Sequence, residues 1–121
     1  MKYGTPLHVA LSNQEFKISY KLLKMLKNIK DFNPVQDLNK MDDDGNNPLH
    51  NIMRHFNVDK DMAKKIALFM IKRGVNLDFK NKHKHTPLLY AIYYAQNEAV
   101  KFALTHNRMV RQIKDSEDPV R

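Results

Sequence analysis

The sequence predicts an all-α protein, a solenoid of stacked helix-turn-helix units separated by hairpin-like finger loops. Three observations predict it. First, a signature recurs: Gly4-Thr5-Pro6-Leu7-His8-Val9-Ala10-Leu11, Asn46-Asn47-Pro48-Leu49-His50-Asn51-Ile52-Met53 and His85-Thr86-Pro87-Leu88-Leu89-Tyr90-Ala91-Ile92 line up, their prolines 42 and then 39 residues apart. A signature returning at such intervals marks a repeat architecture. Second, each copy opens with the chemistry of a helix start. Third, an apolar pattern of helical period follows each of the first two copies.

Taken in order, Thr5, Asn47 and Thr86 can cap a helix by accepting from the free amides of its first turn. The proline after each one sits where its missing N–H costs nothing. Helices are therefore expected to begin within two residues of Pro6, Pro48 and Pro87. In the third unit Leu88, Ala91, Ile92 and Ala95 form one apolar stripe. A second, longer helix is expected in the first unit through Ile18, Leu22, Met25, Leu26 and Ile29, and in the second through Met62, Ile66, Phe69 and Met70. The latter ends in Lys72-Arg73-Gly74, cations at the negative end of the helix dipole and a glycine able to take the left-handed cap. Residues 38 to 46 and 77 to 85 are turn-rich and are expected to form two non-helical fingers. Leu7, Leu49 and Leu88 share one motif position and should all be buried.

A helix, a turn, a helix and a finger, with Thr-Pro-Leu-His at the start, resembles the ankyrin repeat family. The resemblance runs from about residue 4 to 107 and is most specific in Asp42 to His50, Gly74 to Leu88 and Thr86 to Asn107. It implies a single ankyrin-repeat domain over 1–121: repeat 1 at about 4–46, repeat 2 at about 47–85, repeat 3 at about 86–113 and a polar tail at 114–121. The family's repeat is about 33 residues, so the first two units carry insertions. The second falls around Phe56 to Lys64; the first is shared between its helix turn and the Asn28 to Val35 connection. Leu89 replaces the motif histidine, and Lys84 the motif glycine, which suggests a looser turn in the second finger. With three units and no cap ahead of Gly4, the chain reads as a piece of a longer repeat protein or as one whose ends a partner covers.

Composition narrows the function. The chain has 121 residues, 42% of them hydrophobic, enough for one modest core. It contains no run of 18 apolar residues and no apolar leader at Met1-Lys2-Tyr3-Gly4, so an intracellular place, cytoplasm or nucleus, is expected. The absence of cysteine excludes disulfides, thiol catalysis and the common zinc fingers. The net charge of +8 favours acidic proteins, nucleic acid and acidic membranes alike. Lys17, Lys21, Lys24, Lys27 and Lys30 fall on one helical stripe with no aromatic residue among them, which reads as a solvated face first and an anion-binding face second.

Motifs for chemistry fare poorly. Asp42-Asp43-Asp44-Gly45 lacks the outer ligands of a calcium loop, since Lys40 and Asn51 occupy those places, and reads as a turn at a finger tip. His83 and His85 would make only a two-ligand metal site, flanked by Lys82 and Lys84. No phosphate loop, nucleophile elbow or His-Glu-x-x-His motif is present, so no catalytic residue, metal or cofactor is assigned. The ankyrin resemblance implies that His8 and His50 hydrogen-bond between neighbouring loops. It also implies a concave groove of finger tips and first helices that binds another protein. Carried onto this chain, those positions are Ser12 and Asn13 in the first unit, Met41, Asp43, Asp44, Asn46, Arg54 and His55 in the second, and Lys82, His83, His85, Tyr93 and Tyr94 in the third. The partner implied is a protein, or neighbouring repeats or subunits of a larger assembly. Nucleic acid and membrane are less favoured.

Overall fold

The structure is a computed structural model that describes residues 6–26, 28, 33 and 38–106. Thr5, Lys27, Ile29, Lys30, most of the Asn28 to Val35 connection, the end of the third unit and the tail lie outside them. The described residues form six α-helices and no strand: α1 (Pro6–Ser12), α2 (Phe16–Leu26), α3 (Pro48–Arg54), α4 (Lys60–Lys72), α5 (Pro87–Tyr93) and α6 (Asn97–Ala103), with a single 3-10 turn at Phe56–Val58. None is long and apolar enough to cross a membrane.

The three helices that begin at a proline do so for the same local reason where the cap is described. Asn47 Oδ1 accepts from His50 N at 3.0 Å, and His50 Nδ1 accepts in return from Asn47 N at 3.1 Å, a reciprocal box that satisfies two orphan amides of α3. Thr86 Oγ1 accepts from Leu89 N at 3.3 Å and does half of this for α5. For α4 the cap is Asp59, which accepts from Met62 N, with Asp61 in the first turn and Lys72 in the last, both matched to the dipole. Its C-terminal turn closes on Gly74 at φ 95°, the left-handed conformation glycine adopts freely.

The helices pack in two rows. α1 lies against α3 and α3 against α5; α2 lies against α4 and α4 against α6; within each helix pair the first helix packs on the second. The core fills the space between the rows. Leu7, Leu49 and Leu88 are all buried there, with Leu11, Leu23, Ile52, Met53, Phe56, Ile66, Met70 and Phe102. Burying each such side chain is worth about 1.5 to 3 kcal/mol relative to leaving it in water.

Two of the expected apolar faces are displaced. On α2 the buried residues are Phe16, Ser19 and Leu23, while Ile18 and Met25 stand 52% and 66% exposed. The helix is turned so that Phe16, Ser19 and Leu23 face inward, and Ser19 can be buried because its hydroxyl donates to the Glu15 carbonyl at 2.7 Å. In the third unit Leu88 and Ala91 are buried, but Ile92 and Ala95 are exposed. α5 stops at Tyr93, and Ala95 lies past it with a φ of 55°.

The connection after α3 runs through the 3-10 turn to Lys60, where α4 begins, inside the expected span of Phe56 to Lys64. It reaches across to the third helix pair. Asn57 N donates to Gln96 Oε1 at 3.0 Å, and Asn57 Oδ1 accepts from Glu98 N at 2.9 Å. Asn57 thus caps α6 from another unit, where α6's own flanking Gln96 makes no side-chain cap bond. The Phe56 ring lies 5.4 Å from that of Phe102 beneath it.

Candidate functional site

Both fingers are built on one pattern of bonds. In the first, Asp42 Oδ1 accepts from Asp44 N and Asn46 N, Asp42 N donates to the Asn46 carbonyl, and Gly45 N returns to the Asp42 carbonyl at 3.0 Å. In the second, Asn81 Oδ1 accepts from His83 N and His85 N, Asn81 N donates to the His85 carbonyl, and Lys84 N returns to the Asn81 carbonyl at 2.9 Å. The second finger therefore turns as tightly as the first, contrary to the looser turn expected from Lys84. The cost falls on Lys84, held at φ 64° where Gly45 sits at 78°.

The fingers are stitched to each other and to the helices behind them. Lys82 N donates to the Asp44 carbonyl at 3.0 Å, and Asn81 Nδ2 donates to Asn46 Oδ1 at 2.9 Å. Asn46 Nδ2 in turn donates to the Tyr90 hydroxyl at 3.3 Å. At the base, Asn39 Oδ1 accepts from Asn76 N at 2.6 Å, and Asn47 Nδ2 donates to the Asn76 carbonyl at 3.0 Å.

His50 is the central tie. Its Nδ1 is already an acceptor in the α3 cap, so the proton resides on Nε2, which donates to the His85 carbonyl at 2.8 Å. One neutral ring thus joins the start of α3 to the second finger. Burial pulls its pKa down from 6.5 to about 4, while the bond to His85 and the charge of Asp42 act weakly the other way. His8, at the same motif position in α1, is equally buried; burial lowers its pKa too, opposed by Asp42 and the backbone at Lys40 and Asn46.

The expected binding residues divide into three groups. Arg54, His83, His85, Tyr93 and Tyr94 come together. The Arg54 guanidinium lies 3.7 Å above the Tyr94 ring, Tyr94 meets Tyr93 edge-on at 5.0 Å, Tyr93 lies 5.1 Å from His85, and His83 follows at 6.4 Å. Tyr93 is 68% exposed and Tyr94 is also exposed, so neither is lost to the core. Met41, Asp43 and Asp44 form the exposed tip of the first finger, and Lys82 that of the second. His55 closes α3 beside Arg54, where burial, then the Arg54 charge, lowers its pKa. Ser12 and Asn13 are exposed at the end of α1.

Asn46 is the exception: it is 2% exposed and both ends of its amide are used between the fingers and Tyr90. It is a strut under the surface and not part of it. Sequence reasoning missed Tyr90, which supports the surface from below. Its ring meets Tyr94 edge-on at 5.0 Å and His50 at 5.7 Å, and burial raises the pKa of its hydroxyl. The available signal was spacing, since Tyr90 precedes Tyr94 by one helical turn.

The acidic and basic fingers meet through backbone, and no ion pair joins Asp43 or Asp44 to Lys80, Lys82 or Lys84. Among the described residues no group of three or more His, Asp or Glu gathers in a metal-binding arrangement. Lys17, Lys21 and Lys24 are exposed along α2, and, contrary to the expectation that no aromatic residue lies among them, Lys24 lies over the Tyr20 ring at 4.8 Å. No protein-family model matches the chain, and no curated protein matches it.

Proposed function

We propose that the chain is a non-enzymatic protein-binding module, a solenoid of about three divergent ankyrin repeats that holds a partner protein in the groove of its finger tips and first helices. The observation that carries this reading is the contiguous row of Arg54, Tyr94, Tyr93, His85 and His83, in which Tyr93, Tyr94 and His83 are exposed and Arg54 and His85 are half-buried. Residues of α3, α5 and the second finger contribute to it, so it exists only because the units stack. Tyrosine and arginine are the side chains most enriched where interfaces concentrate their binding energy. Here Tyr90 and the bonded fingers hold them from beneath, which lowers the entropy lost on binding. The recurrent Pro-Leu start, the Asp-x-x-Gly finger and the histidine tie support the ankyrin assignment, and an intracellular place accords with a chain that has no cysteine.

The rival reading places an anionic ligand, nucleic acid or phospholipid, on α2, where Lys17, Lys21 and Lys24 stand exposed beside Ile18 and Met25. Paired variants separate the two. A partner retained by the chain should be lost with Tyr93→Ala and Tyr94→Ala together and kept with Lys21→Glu and Lys24→Glu together, with stability in each moved by no more than about 0.5 kcal/mol per exposed substitution. The reverse pattern, with binding that falls steeply as salt rises, overturns the groove reading.

A further inference from the structure

The chemistry of the partner is written in the unpaired charges of the two fingers. The first carries Asp42, Asp43 and Asp44 and the second Lys80, Lys82 and Lys84. A cleft of about 410 Å³ opens between them, with Met41, Asp42 and Asp43 on one wall and Lys80 and Lys82 on the other. The Lys82 N to Asp44 carbonyl bond fixes how the tips lie against each other, yet the side-chain charges do not pair. An exposed pair in water gains little against the entropy of holding two long side chains still, so Asp43, Asp44 and the three lysines remain solvated and available, while Asp42 is held in the bonds of its own finger. Met41, 58% exposed, places an apolar side chain beside them.

From the second finger the surface continues through His83 and His85 to Tyr93 and Tyr94, and ends on the positive charge of the Arg54 guanidinium. We propose that the partner is a protein segment whose charge changes sign along its length. Its basic end lies over Asp43 and Asp44, an apolar residue meets Met41, and its acidic end lies over Lys80, Lys82 and Arg54. This rests on the groove reading above. A uniformly anionic polymer fits worse, because Asp43 and Asp44 repel it where the lysines attract it.

The test is a selection of short random displayed peptides on the full chain, followed by affinity measurement of the synthesised winners. Enriched peptides should carry basic residues at one end and acidic ones at the other. Asp43→Lys with Asp44→Lys, and separately Lys80→Glu with Lys82→Glu, should each weaken binding about tenfold, as charge reversal at an interface does. A peptide with the matching end reversed should recover that loss, which also shows the variant to be folded. Asp42 is left alone because its carboxylate holds the finger. Winners of uniform charge, or affinities unmoved by both reversals while Tyr93→Ala with Tyr94→Ala still weakens them, overturn the charge-split partner and leave the groove standing. Winners insensitive to the tyrosine pair, an empty selection, or tight binding of single-stranded DNA that needs the α2 lysines, overturn both.

Discussion

Acidification should unfasten this protein through His50. The ring must be neutral to accept from Asn47 N at Nδ1 while donating to the His85 carbonyl from Nε2. Its folded pKa of about 4 lies below the ordinary 6.5 because the ring is buried. In the window between those values the unfolded chain binds the proton more tightly than the folded one, so stability rises with pH and is lost as pH falls. The linkage relation gives a loss of about 2 kcal/mol between pH 7 and pH 5, and about 3 kcal/mol by pH 4. His8 adds to it in the same direction. Urea denaturation at a series of pH values, with the parent and His50→Gln side by side, reads the term directly. The variant starts less stable, since a bond between cap and finger is lost, but its stability should fall less steeply below pH 6.5. Equal slopes in the two proteins would refute the reasoning.

Other substitutions probe the core, the fingers and the surface. Leu49→Ala, in a wholly buried position, should cost about 2 to 5 kcal/mol in chemical denaturation. Lys84→Gly should stabilise the chain by up to about 1 kcal/mol, read as a higher melting temperature, because it removes a side chain from a left-handed position. Gly45→Ala should do the opposite: beyond its φ of 78°, the new methyl would lie 3.0 Å from the Lys82 backbone nitrogen. Asn57→Ala should lower the melting temperature by the loss of the α6 cap, about 1 kcal/mol, with no change in partner affinity.

Local chemistry made much of this fold legible. A cap residue, a proline after it and a leucine at the next position set the starts of α3 and α5 without help from the rest of the chain, and both begin at the expected proline. The left-handed Gly45 and Gly74 follow from the same kind of rule. Where neighbours decide, the sequence misleads. α2 offers two faces of helical period, one through Ile18, Leu22 and Met25 and one through Phe16, Ser19 and Leu23, and only packing against α1 and α4 selects the second. Asn46 reads as a finger residue and hence exposed; the second finger, 35 residues on, buries it through Asn81. Lys84 reads as a poor turn residue, but the Asn81 ring of bonds and the strut to Asn46 overdetermine the turn. In the proposed binding surface, Tyr93, Tyr94 and Arg54 were legible as types in a pattern. Their contact, and the support of Tyr90, needed α3 and α5 side by side.

The most direct test of groove binding is amide chemical-shift mapping as a selected peptide is added. The account predicts shifts concentrated at Met41, Asp43, Asp44, Arg54, Lys82, His83, Tyr93 and Tyr94, with α2 unmoved. Shifts confined to Lys17, Lys21, Lys24 and their neighbours on α2, with the finger tips and α5 silent, would contradict it.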